Sequence, residues 1–252
     1  MSEVIIKTDK LSKSFSVGEK QQHVIKNLDM EIYKGDFTVI MGSSGAGKST
    51  LLYALSGMDK PTLGTIEYAG QDITKMNDDK LAVFRRKHCG FIFQQIHLVD
   101  SMSVMDNAIS TGMLIGQKQK DLKKKALELF ERVGISEDLA KKFPAQLSGG
   151  EAQRGAFVRA LINDPDVVFA DEPTGALNSA GVKAVLDVLT DINNSGQTVL
   201  MVTHDVKSAR RANRIIYLQD GGIMGELSLG KYVSGDEDRH EAIRSFLEEM
   251  GW

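Results

Sequence analysis

Short apolar runs alternate with amphipathic segments along much of this chain. Residues 37–41 (FTVIM), 167–170 (VVFA) and 198–202 (TVLMV) are largely apolar and of strand length, which is typical of strands buried on both faces. An amphipathic segment around 182–192 separates the last two runs. This β-α-β alternation predicts an α/β fold with a mainly parallel sheet, in which ligands bind at the carboxyl ends of the strands.

Partly alternating segments outside this core predict a second β layer. Residues 4–8 and 24–32 alternate between apolar and polar side chains, as strands with one buried face do. A further pair, 64–68 and 71–73, is joined by an Ala-Gly dipeptide that is typical of a hairpin turn. We expect these strands to form a small antiparallel layer that flanks the parallel sheet.

Two regions have helical periodicity. Between about 105 and 143 apolar residues recur every three or four positions, which predicts an inserted helical subdomain over approximately 95–163. At the C-terminus one face of a helix is apolar, which predicts an extension over 229–252. That face consists of Ile243, Phe246, Leu247 and Met250. We favour packing on its own domain over binding of a partner, because apolar helix stripes usually face a core.

A glycine-rich segment, here called the phosphate loop, follows the strand at 37–41. It reads Gly42-Ser43-Ser44-Gly45-Ala46-Gly47-Lys48-Ser49-Thr50 and leads into an apolar helical segment. Glycines let the backbone N–H groups surround an anion, and the helix start adds positive potential. Lys48 is expected to reach the β and γ phosphates, and Ser49 to bind Mg²⁺. The alternative is a simple glycine turn, but the strand-loop-helix context favours nucleotide binding.

Polar side chains follow the other two buried strands. Asp171 and Glu172 come directly after 167–170, and His204 follows the strand that begins at 198. Asp171 suits an outer-shell contact to Mg²⁺, and Glu172 suits activation of the water that attacks the γ phosphate. His204 suits a hydrogen bond to that phosphate. The alternatives are a helix N-cap for the two acids and an ordinary surface or core role for the histidine.

A second anion-binding element is predicted near residue 148. The signature segment, Leu147-Ser148-Gly149-Gly150-Glu151, precedes a helical pattern that runs to about residue 161. Ser148 and the N–H groups of Gly149 and Gly150 form a helix start that favours anions. The alternative is an N-cap with a glycine hinge. The chain has only one phosphate loop with a lysine, so this second anion-binding element needs a phosphate ligand of its own.

Charge and cysteine content narrow the possible partners and location. The 252 residues carry a net charge of −3 with both signs interspersed, which disfavours a nucleic-acid partner. Cys89 is the only cysteine, so no internal disulfide forms and a reducing cytoplasm fits best. No apolar run approaches the roughly 20 residues needed to cross a bilayer. If the protein serves a membrane process, we therefore expect it to do so from outside the lipid.

Taken in this order, the motifs resemble those of the nucleotide-binding subunit of ATP-binding cassette (ABC) transporters, over nearly the whole chain. The resemblance implies that the phosphate loop is the Walker A motif and that 147–151 is the signature motif. It also implies that Asp171 and Glu172 are the Walker B acids and that His204 is the switch histidine. On this basis residues 1–228 are expected to form an ABC ATPase domain with a P-loop NTPase core.

The same resemblance supplies two further residues and the partners. Gln94 matches the Q-loop glutamine, which contacts the metal and assists catalysis, and Phe15 matches the aromatic that stacks on adenine. Members of the family pair two chains head to tail, with ATP between the lysine loop of one and the signature motif of the other. This implies ATP and Mg²⁺ as cofactors, a homodimer, and a membrane permease bound at the cytoplasmic face of the cell membrane.

Two segments refine the resemblance to one branch of the family. Residues 90–94 (GFIFQ) and 169–177 (FADEPTGAL) most resemble macrolide exporters, lipoprotein-release systems and antimicrobial-peptide resistance transporters. The implied function is an ATP-hydrolysing subunit that drives a permease acting on antimicrobial peptides, lipoproteins or other amphipathic substrates. The surface around 94–105 would receive the permease's cytoplasmic helix.

Two alternatives remain. One is a regulatory or mechanotransmitting ATPase that signals to a cell-envelope partner without solute transport. The other is an ATPase for DNA repair or translation, which is disfavoured because neither a long coiled-coil insertion nor a second cassette is present.

The chain departs from the family pattern at two positions. Glu151 stands where glutamine is usual in the signature motif, and Asn178 stands where aspartate is usual after the Walker B acids. Glu151 is expected to be tolerated if it points away from the phosphate. Asn178 can form hydrogen bonds but carries no charge, so we expect it to contribute no charge to the coupling between the two ATP sites.

Overall fold

The computed structural model describes residues 3–18, 20–236 and 238–252. In chain order its elements are β1 (Val4–Val17), β2 (Lys20–Tyr33), β3 (Phe37–Met41), α1 (Lys48–Leu55), β4 (Leu63–Tyr68), β5 (Gln71–Asp72), α2 (Asp78–His88), β6 (Cys89–Phe93), α3 (Val104–Met113) and α4 (Gln119–Arg132). They continue with α5 (Glu137–Ala140), α6 (Gly149–Leu161), β7 (Val167–Asp171), α7 (Ser179–Asn194), β8 (Thr198–Val202), α8 (Val206–Ala209), β9 (Arg214–Gln219), β10 (Gly222–Ser228) and α9 (Asp238–Glu249).

The chain divides into two compact units. Unit 1 comprises the chain up to Leu81 and again from Gly196 onward, and unit 2 is Ala82–Ser195. None of the helices in the described ranges is long and apolar enough to cross a membrane. The predicted boundaries at residues 95, 163 and 228 remain predictions.

The antiparallel layer predicted from the alternating segments lies in unit 1. Its strands are ordered β2-β1-β4-β5, and every neighbouring pair is antiparallel. β1 and β2 form a long hairpin in which Ile6 pairs with Ile32, and both side chains are fully buried. Alternation of this kind buries one face of the layer and leaves the other polar, which confirms the prediction of an antiparallel layer.

Unit 1 also contains parallel strands. β3 lies between β8 and β9 and runs parallel to both, so that Val39 pairs with Met201 on one side and with Ile215 on the other. Every residue of β3 and β8 is buried, because strands inside a sheet covered on both faces read as continuous apolar runs. β10 pairs antiparallel with β9. The mainly parallel core is confirmed, although β9 and β10 are not among the predicted strands.

The C-terminal helix α9 packs on unit 1. Its apolar face, which includes the buried Phe246 and Leu247, approaches β10 at Gly225, where an added Cβ would lie 2.7 Å from Sδ of Met250. Arg239 is 3% exposed, and its guanidinium donates to main-chain carbonyls, among them that of Arg210 at 2.7 Å. Backbone carbonyls thus hold this buried cation at the start of the helix.

Unit 2 combines a parallel strand pair with helices. β6 and β7 run parallel, and their ladder ends with the pair Phe93 and Asp171. The segment predicted as one helical region forms three helices, α3, α4 and α5, because turns with positive φ at Gly116 (82°) and Gly134 (69°) interrupt it. α6 packs closely on α3, since a Cβ at Gly155 would lie 2.5 Å from Cγ1 of Val104.

Candidate functional site

The phosphate loop of unit 1 has a conformation that its glycines make possible. It connects the buried strand β3 to α1, and φ is positive at Gly42 (151°), Gly45 (82°) and Gly47 (97°). A Cβ at Gly42 would lie 2.1 Å from the carbonyl oxygen of Leu218, well inside any van der Waals contact. The loop therefore depends on glycine both for backbone conformation and for close packing.

Lys48 and the start of α1 give this loop a positive character. The Lys48 ammonium donates hydrogen bonds to the carbonyl oxygens of Gly42 (2.7 Å) and Ser43 (2.9 Å), so it lies across the loop. Gly47 is the N-cap of α1 and has no side chain with which to cap the first N–H groups. The positive end of a helix dipole, next to an ammonium, favours a bound anion. Ser49 lies half-buried in the first turn.

His204 emerges at the same edge of unit 1 as the phosphate loop. β3 and β8 are parallel neighbours, with Ile40 paired to Val202, so the segments after both strands leave at one end. His204 itself is exposed. The residue after it, Asp205, caps α8 by accepting a hydrogen bond from the N–H of Ser208 at 2.9 Å, which fixes the backbone beside the histidine.

Phe15 lies in the antiparallel layer of unit 1. The residue is 41% exposed, and the Lys13 ammonium lies 4.9 Å from the centroid of its ring. The next strand of the layer reaches the phosphate loop, since a Cβ at Gly47 would lie 2.9 Å from Cδ1 of Ile25. An exposed aromatic face in this layer is able to stack on a flat base.

Unit 2 carries Asp171, Glu172 and Gln94 at one end of its strand pair. Asp171 is the last residue of β7 and is 9% exposed. Glu172 has φ of 46°, a left-handed conformation that is unusual for glutamate and costs energy. The N–H of Gly175 donates to the carbonyl of Glu172 at 3.1 Å, which closes a tight turn. Residues 172–175 are called the acid turn below.

Gln94 lies directly against the acid turn. An added Cβ at Gly175 would lie 2.8 Å from Nε2 of Gln94, so glycine at this position leaves room for the amide. Gln94 follows β6 as Glu172 follows β7, and the ladder pair Phe93 and Asp171 brings both to one edge. Unit 2 therefore brings together the predicted catalytic glutamate and the predicted Q-loop glutamine.

Gln153, to which the sequence pattern assigns no chemical role, connects to both of these segments. It is 1% exposed in α6, and its Nε2 donates to the carbonyl oxygens of Phe93 (3.0 Å) and Pro173 (3.1 Å). The only signal in the sequence is an amide within a largely apolar helical segment. Its long-range partners cannot be read from that pattern.

The signature segment caps the start of α6. Ser148 is the N-cap, and its hydroxyl donates to the carboxylate of Glu151 at 2.7 Å, while its N–H donates to the same carboxylate at 2.8 Å. The N–H of Glu151 in turn donates to the Ser148 hydroxyl at 3.4 Å, and this bond and the one from the Ser148 N–H form a capping box. The bonds that the carboxylate accepts from the hydroxyl and the N–H of Ser148 hold the pKa of Glu151 below its usual range. Glu151 therefore points back at the serine of the motif rather than away from it. Gly149 and Gly150 form the first turn of the helix.

Asn178 caps the next helix. Its Oδ1 accepts a hydrogen bond from the N–H of Gly181 at 2.9 Å, at the start of α7. Asparagine and aspartate are similarly good N-caps. The neutral side chain therefore keeps the local fold, and what changes relative to the usual aspartate is the charge.

The donor set suits magnesium chemically. Within the described residues, no group of three or more His, Cys, Asp or Glu could hold a metal ion. Magnesium needs only one or two protein oxygens, since waters and substrate phosphates complete its octahedron. Ser49 in unit 1, and Asp171 and Gln94 in unit 2, each offer such an oxygen, so the side chains within each unit suit Mg²⁺ chemically.

Comparison with known proteins identifies relatives that match most of the chain. Residues 25–175 match the profile of the ABC transporter family. The chain is 40% identical over 226 residues to a macrolide export ATP-binding/permease protein, MacB, of Hahella chejuensis, a match that covers 90% of this chain and 34% of that protein. It is 41% identical over 221 residues to an uncharacterized ABC transporter ATP-binding protein, MJ1508, of Methanocaldococcus jannaschii, covering 87% and 98%. The chain thus spans about a third of the first relative and nearly all of the second.

Solved structures of ATP-binding cassettes also match the chain. The dimeric post-hydrolysis state of the ATP-binding cassette MJ0796, bound to ADP and Pi, matches with a TM-score of 0.83 at 36% identity, over 90% of this chain and 100% of that one. CbiO1 from Clostridium perfringens, part of the ABC transporter complex cbiONQ, matches with a TM-score of 0.81 at 25% identity, over 98% and 92%.

Proposed function

This chain belongs to the ABC transporter family as an ATP-binding domain, and from that premise we propose that it hydrolyses ATP with Mg²⁺ to drive a membrane permease. The proposed working cycle is closure of two copies of the chain around ATP, followed by opening after hydrolysis. The observation that carries the proposal is the phosphate loop, whose positive-φ glycines, glycine N-cap at a helix start and Lys48 ammonium form an anion cradle. A turn that only joined strand to helix would need none of these.

Unit 1 is proposed to bind the nucleotide. The N–H groups of residues 42–50 would surround the phosphates, and Lys48 would exchange its two carbonyl partners for phosphate oxygens, which are stronger acceptors because they are charged. Phe15 would cover one face of adenine. His204, fixed by the capped turn behind it, would hydrogen-bond the γ phosphate.

Unit 2 is proposed to supply the hydrolytic residues. Glu172 would orient and deprotonate the attacking water, and Gln94 would contact both that water and the metal. Ser49 and Asp171 would be the other protein groups of the metal site. Bound Mg²⁺ would neutralise charge on the β and γ phosphates. The strained backbone of Glu172 fits this role, since strained residues persist at sites where their exact direction matters.

A second copy of the chain is proposed to complete each ATP site. Ser148, Gly149 and Gly150 form an anion-favouring helix start that lacks a lysine of its own, and the similar MJ0796 cassette is described as a dimer bound to ADP and Pi. We propose that this helix start binds the γ phosphate of ATP held by the partner copy. Hydrolysis would then require the dimer.

The permease is proposed to lie on another chain or another segment. The matched MacB proteins are named as macrolide export ATP-binding/permease proteins, and this chain corresponds to about a third of their length. We propose that it works at the cytoplasmic face of the cell membrane, with the surface around 94–105 against the permease. The proposed cargo is an antimicrobial peptide, a lipoprotein or another amphipathic molecule.

The test is reconstitution with the integral membrane protein that co-purifies with the chain. Vesicles containing both are loaded with a macrolide, an amphipathic peptide or a lipopeptide, and ATP hydrolysis and cargo movement are measured together. The proposal predicts Mg²⁺-dependent hydrolysis and cargo movement, both lost in Lys48→Ala. Hydrolysis without movement of any cargo would favour the signalling ATPase, and no hydrolysis at all would overturn the proposal.

A further inference from the structure

Gln153 has an environment that is unusual for a polar side chain. It is 1% exposed, with Ala152, Ala156 and Phe157 of the same helix also buried. Burying an amide is unfavourable unless its hydrogens are bonded. Both hydrogens of its Nε2 are used, one on the carbonyl of Phe93 and one on that of Pro173. A leucine or methionine would fill this space without that constraint, so the amide has a purpose beyond packing.

The orientation of this amide is determined by its partners. If the amide were rotated by 180°, its Oε1 would face two carbonyl oxygens, which are acceptors only. In the observed orientation Oε1 is buried and has no hydrogen-bond partner among the residues that the structure describes. An unpaired buried acceptor is unfavourable, and the two donated bonds outweigh it. The side chain is therefore fixed as a donor to both carbonyls.

The two carbonyls belong to the residues that flank the proposed catalytic groups. Phe93 immediately precedes Gln94, and Pro173 immediately follows Glu172. The ladder between β6 and β7 ends at the pair Phe93 and Asp171, so it does not hold the two segments beyond that point. Beyond it, Gln153 joins the two segments by donating to a main-chain carbonyl of each.

Backbone strain at Glu172 makes this support necessary. A non-glycine residue with φ of 46° persists only when its surroundings over-determine it. The contacts that hold this turn include the bond from Gly175, the Gln94 amide against Gly175, and the bond from Gln153 to Pro173. The bond from Gln153 comes from helix α6, which lies outside the strand pair that carries Gln94 and Glu172.

We infer that Gln153 is a positioning residue for hydrolysis, holding the backbone on either side of the pair formed by Gln94 and Glu172 so that both side chains are directed at the reacting water. The inference rests on the proposed function, because it takes Glu172 as the base. It predicts that loss of the two donors impairs the chemical step and leaves nucleotide binding by unit 1 intact.

The principal variant is Gln153→Met, which keeps the length of the side chain and removes both donors. A matched control exists in the same unit, because Asn163 has the same arrangement: its Nδ2 donates to the carbonyls of Arg86 (2.9 Å) and Thr111 (3.3 Å), and its Oδ1 is buried without a partner in the described chain. Asn163→Leu removes an equivalent pair of bonds at a position that flanks none of the proposed catalytic residues.

Steady-state hydrolysis of MgATP and ATP binding are measured for wild type and both variants. We expect Gln153→Met to lower kcat about 10- to 100-fold, as small misplacements of catalytic groups do. Its Kd for ATP should stay within about twofold of wild type, and Asn163→Leu should change kcat less than about threefold. Should Gln153→Met not fold, Gln153→Asn retains an amide that is too short for both carbonyls and is expected to give an intermediate loss of kcat.

A double-mutant cycle with Glu172→Gln separates positioning from general damage. If Gln153 acts through Glu172, adding Gln153→Met to Glu172→Gln should lower the single-turnover rate by less than about twofold. Additive losses, or equal losses of kcat in Gln153→Met and Asn163→Leu, would overturn the inference and leave the proposed function standing. Wild-type protein that binds but does not hydrolyse MgATP would instead contradict the proposed function, and the inference with it.

Discussion

The phosphate loop of unit 1 and the acid turn of unit 2 both depend on unusual backbone conformations, but they are stabilised in different ways. The loop uses glycines, which adopt positive φ at little cost, and its neighbours approach so closely that a side chain at Gly42 would clash. The acid turn uses a glutamate at φ of 46° and is held by the buried amide of Gln153 from helix α6. One site is built from local backbone, and the other from a long-range side-chain contact.

This difference shows which groups each site depends on. A phosphate is recognised by main-chain N–H groups, so the loop needs little from particular side chains except Lys48 and a hydroxyl. Water activation needs one carboxylate in one direction, and glycine cannot provide that carboxylate. The acid turn therefore retains strain that the phosphate loop avoids.

The largest expected effect comes from removing the carboxylate of the acid turn. Glu172→Gln should lower the hydrolysis rate by about 100- to 10,000-fold, the usual contribution of a general base. ATP binding should persist, because the cradle in unit 1 is unchanged. The matched control is Glu131→Gln, which neutralises an exposed glutamate of α4 and should leave the rate unchanged. A rate for Glu172→Gln close to that of wild type would contradict the assignment of the base.

Glycine substitutions in the phosphate loop should separate clash from backbone strain. Gly42→Ala adds a Cβ 2.1 Å from a carbonyl oxygen, whereas Gly45→Ala adds one with no atom within 4 Å. We expect losses of folding free energy of more than about 3 kcal/mol for the first and about 1 kcal/mol for the second. Chemical denaturation checks both values, and equal losses would mean that packing against Leu218 is unimportant.

Strain in the acid turn should be measurable as stability. Glu172→Gly removes the side chain that makes a φ of 46° unfavourable, while Glu172→Ala removes the carboxylate and keeps the penalty. Both variants should lose hydrolysis, but the glycine variant should be about 1 kcal/mol more stable than the alanine variant. Thermal unfolding of the pair checks this. A less stable glycine variant would indicate that the turn is unstrained.

The smallest expected effect concerns the signature segment. In Glu151→Gln the residue still caps Ser148, but its neutral amide no longer repels phosphate and no longer requires the serine hydrogen. The concentration of ATP needed for dimerisation should fall about threefold to tenfold. Because the pKa of Glu151 lies below its usual range, the carboxylate is ionised at neutral pH, and the difference should shrink only when acid protonates it. Light scattering across an ATP series measures the effect, and an unchanged midpoint would contradict it.

The same contrast explains what the sequence could predict. The phosphate loop at 42–50 can be predicted because the residues that it needs are consecutive in the chain. The buried strands can be predicted because they appear as apolar runs. The role of Gln153 cannot be predicted from the sequence, since its hydrogen-bond partners lie 60 and 20 residues away. The contact of the Glu151 carboxylate with Ser148 could have been predicted, because a serine followed three residues later by glutamate is the sequence pattern of a capping box. The apolar run of β9 followed by Asp220-Gly221 was likewise a hairpin signal.

ATP-driven pairing of two copies is the central claim, and light scattering of the Glu172→Gln variant tests it most directly. With MgATP the mass should double from that of one chain, 27.6 kDa, and without nucleotide it should return to a single copy. Lys48→Ala in the same background should prevent the change, because the cradle loses its ammonium. A mass that stays at one copy with saturating MgATP and the co-purified membrane protein present would contradict the account.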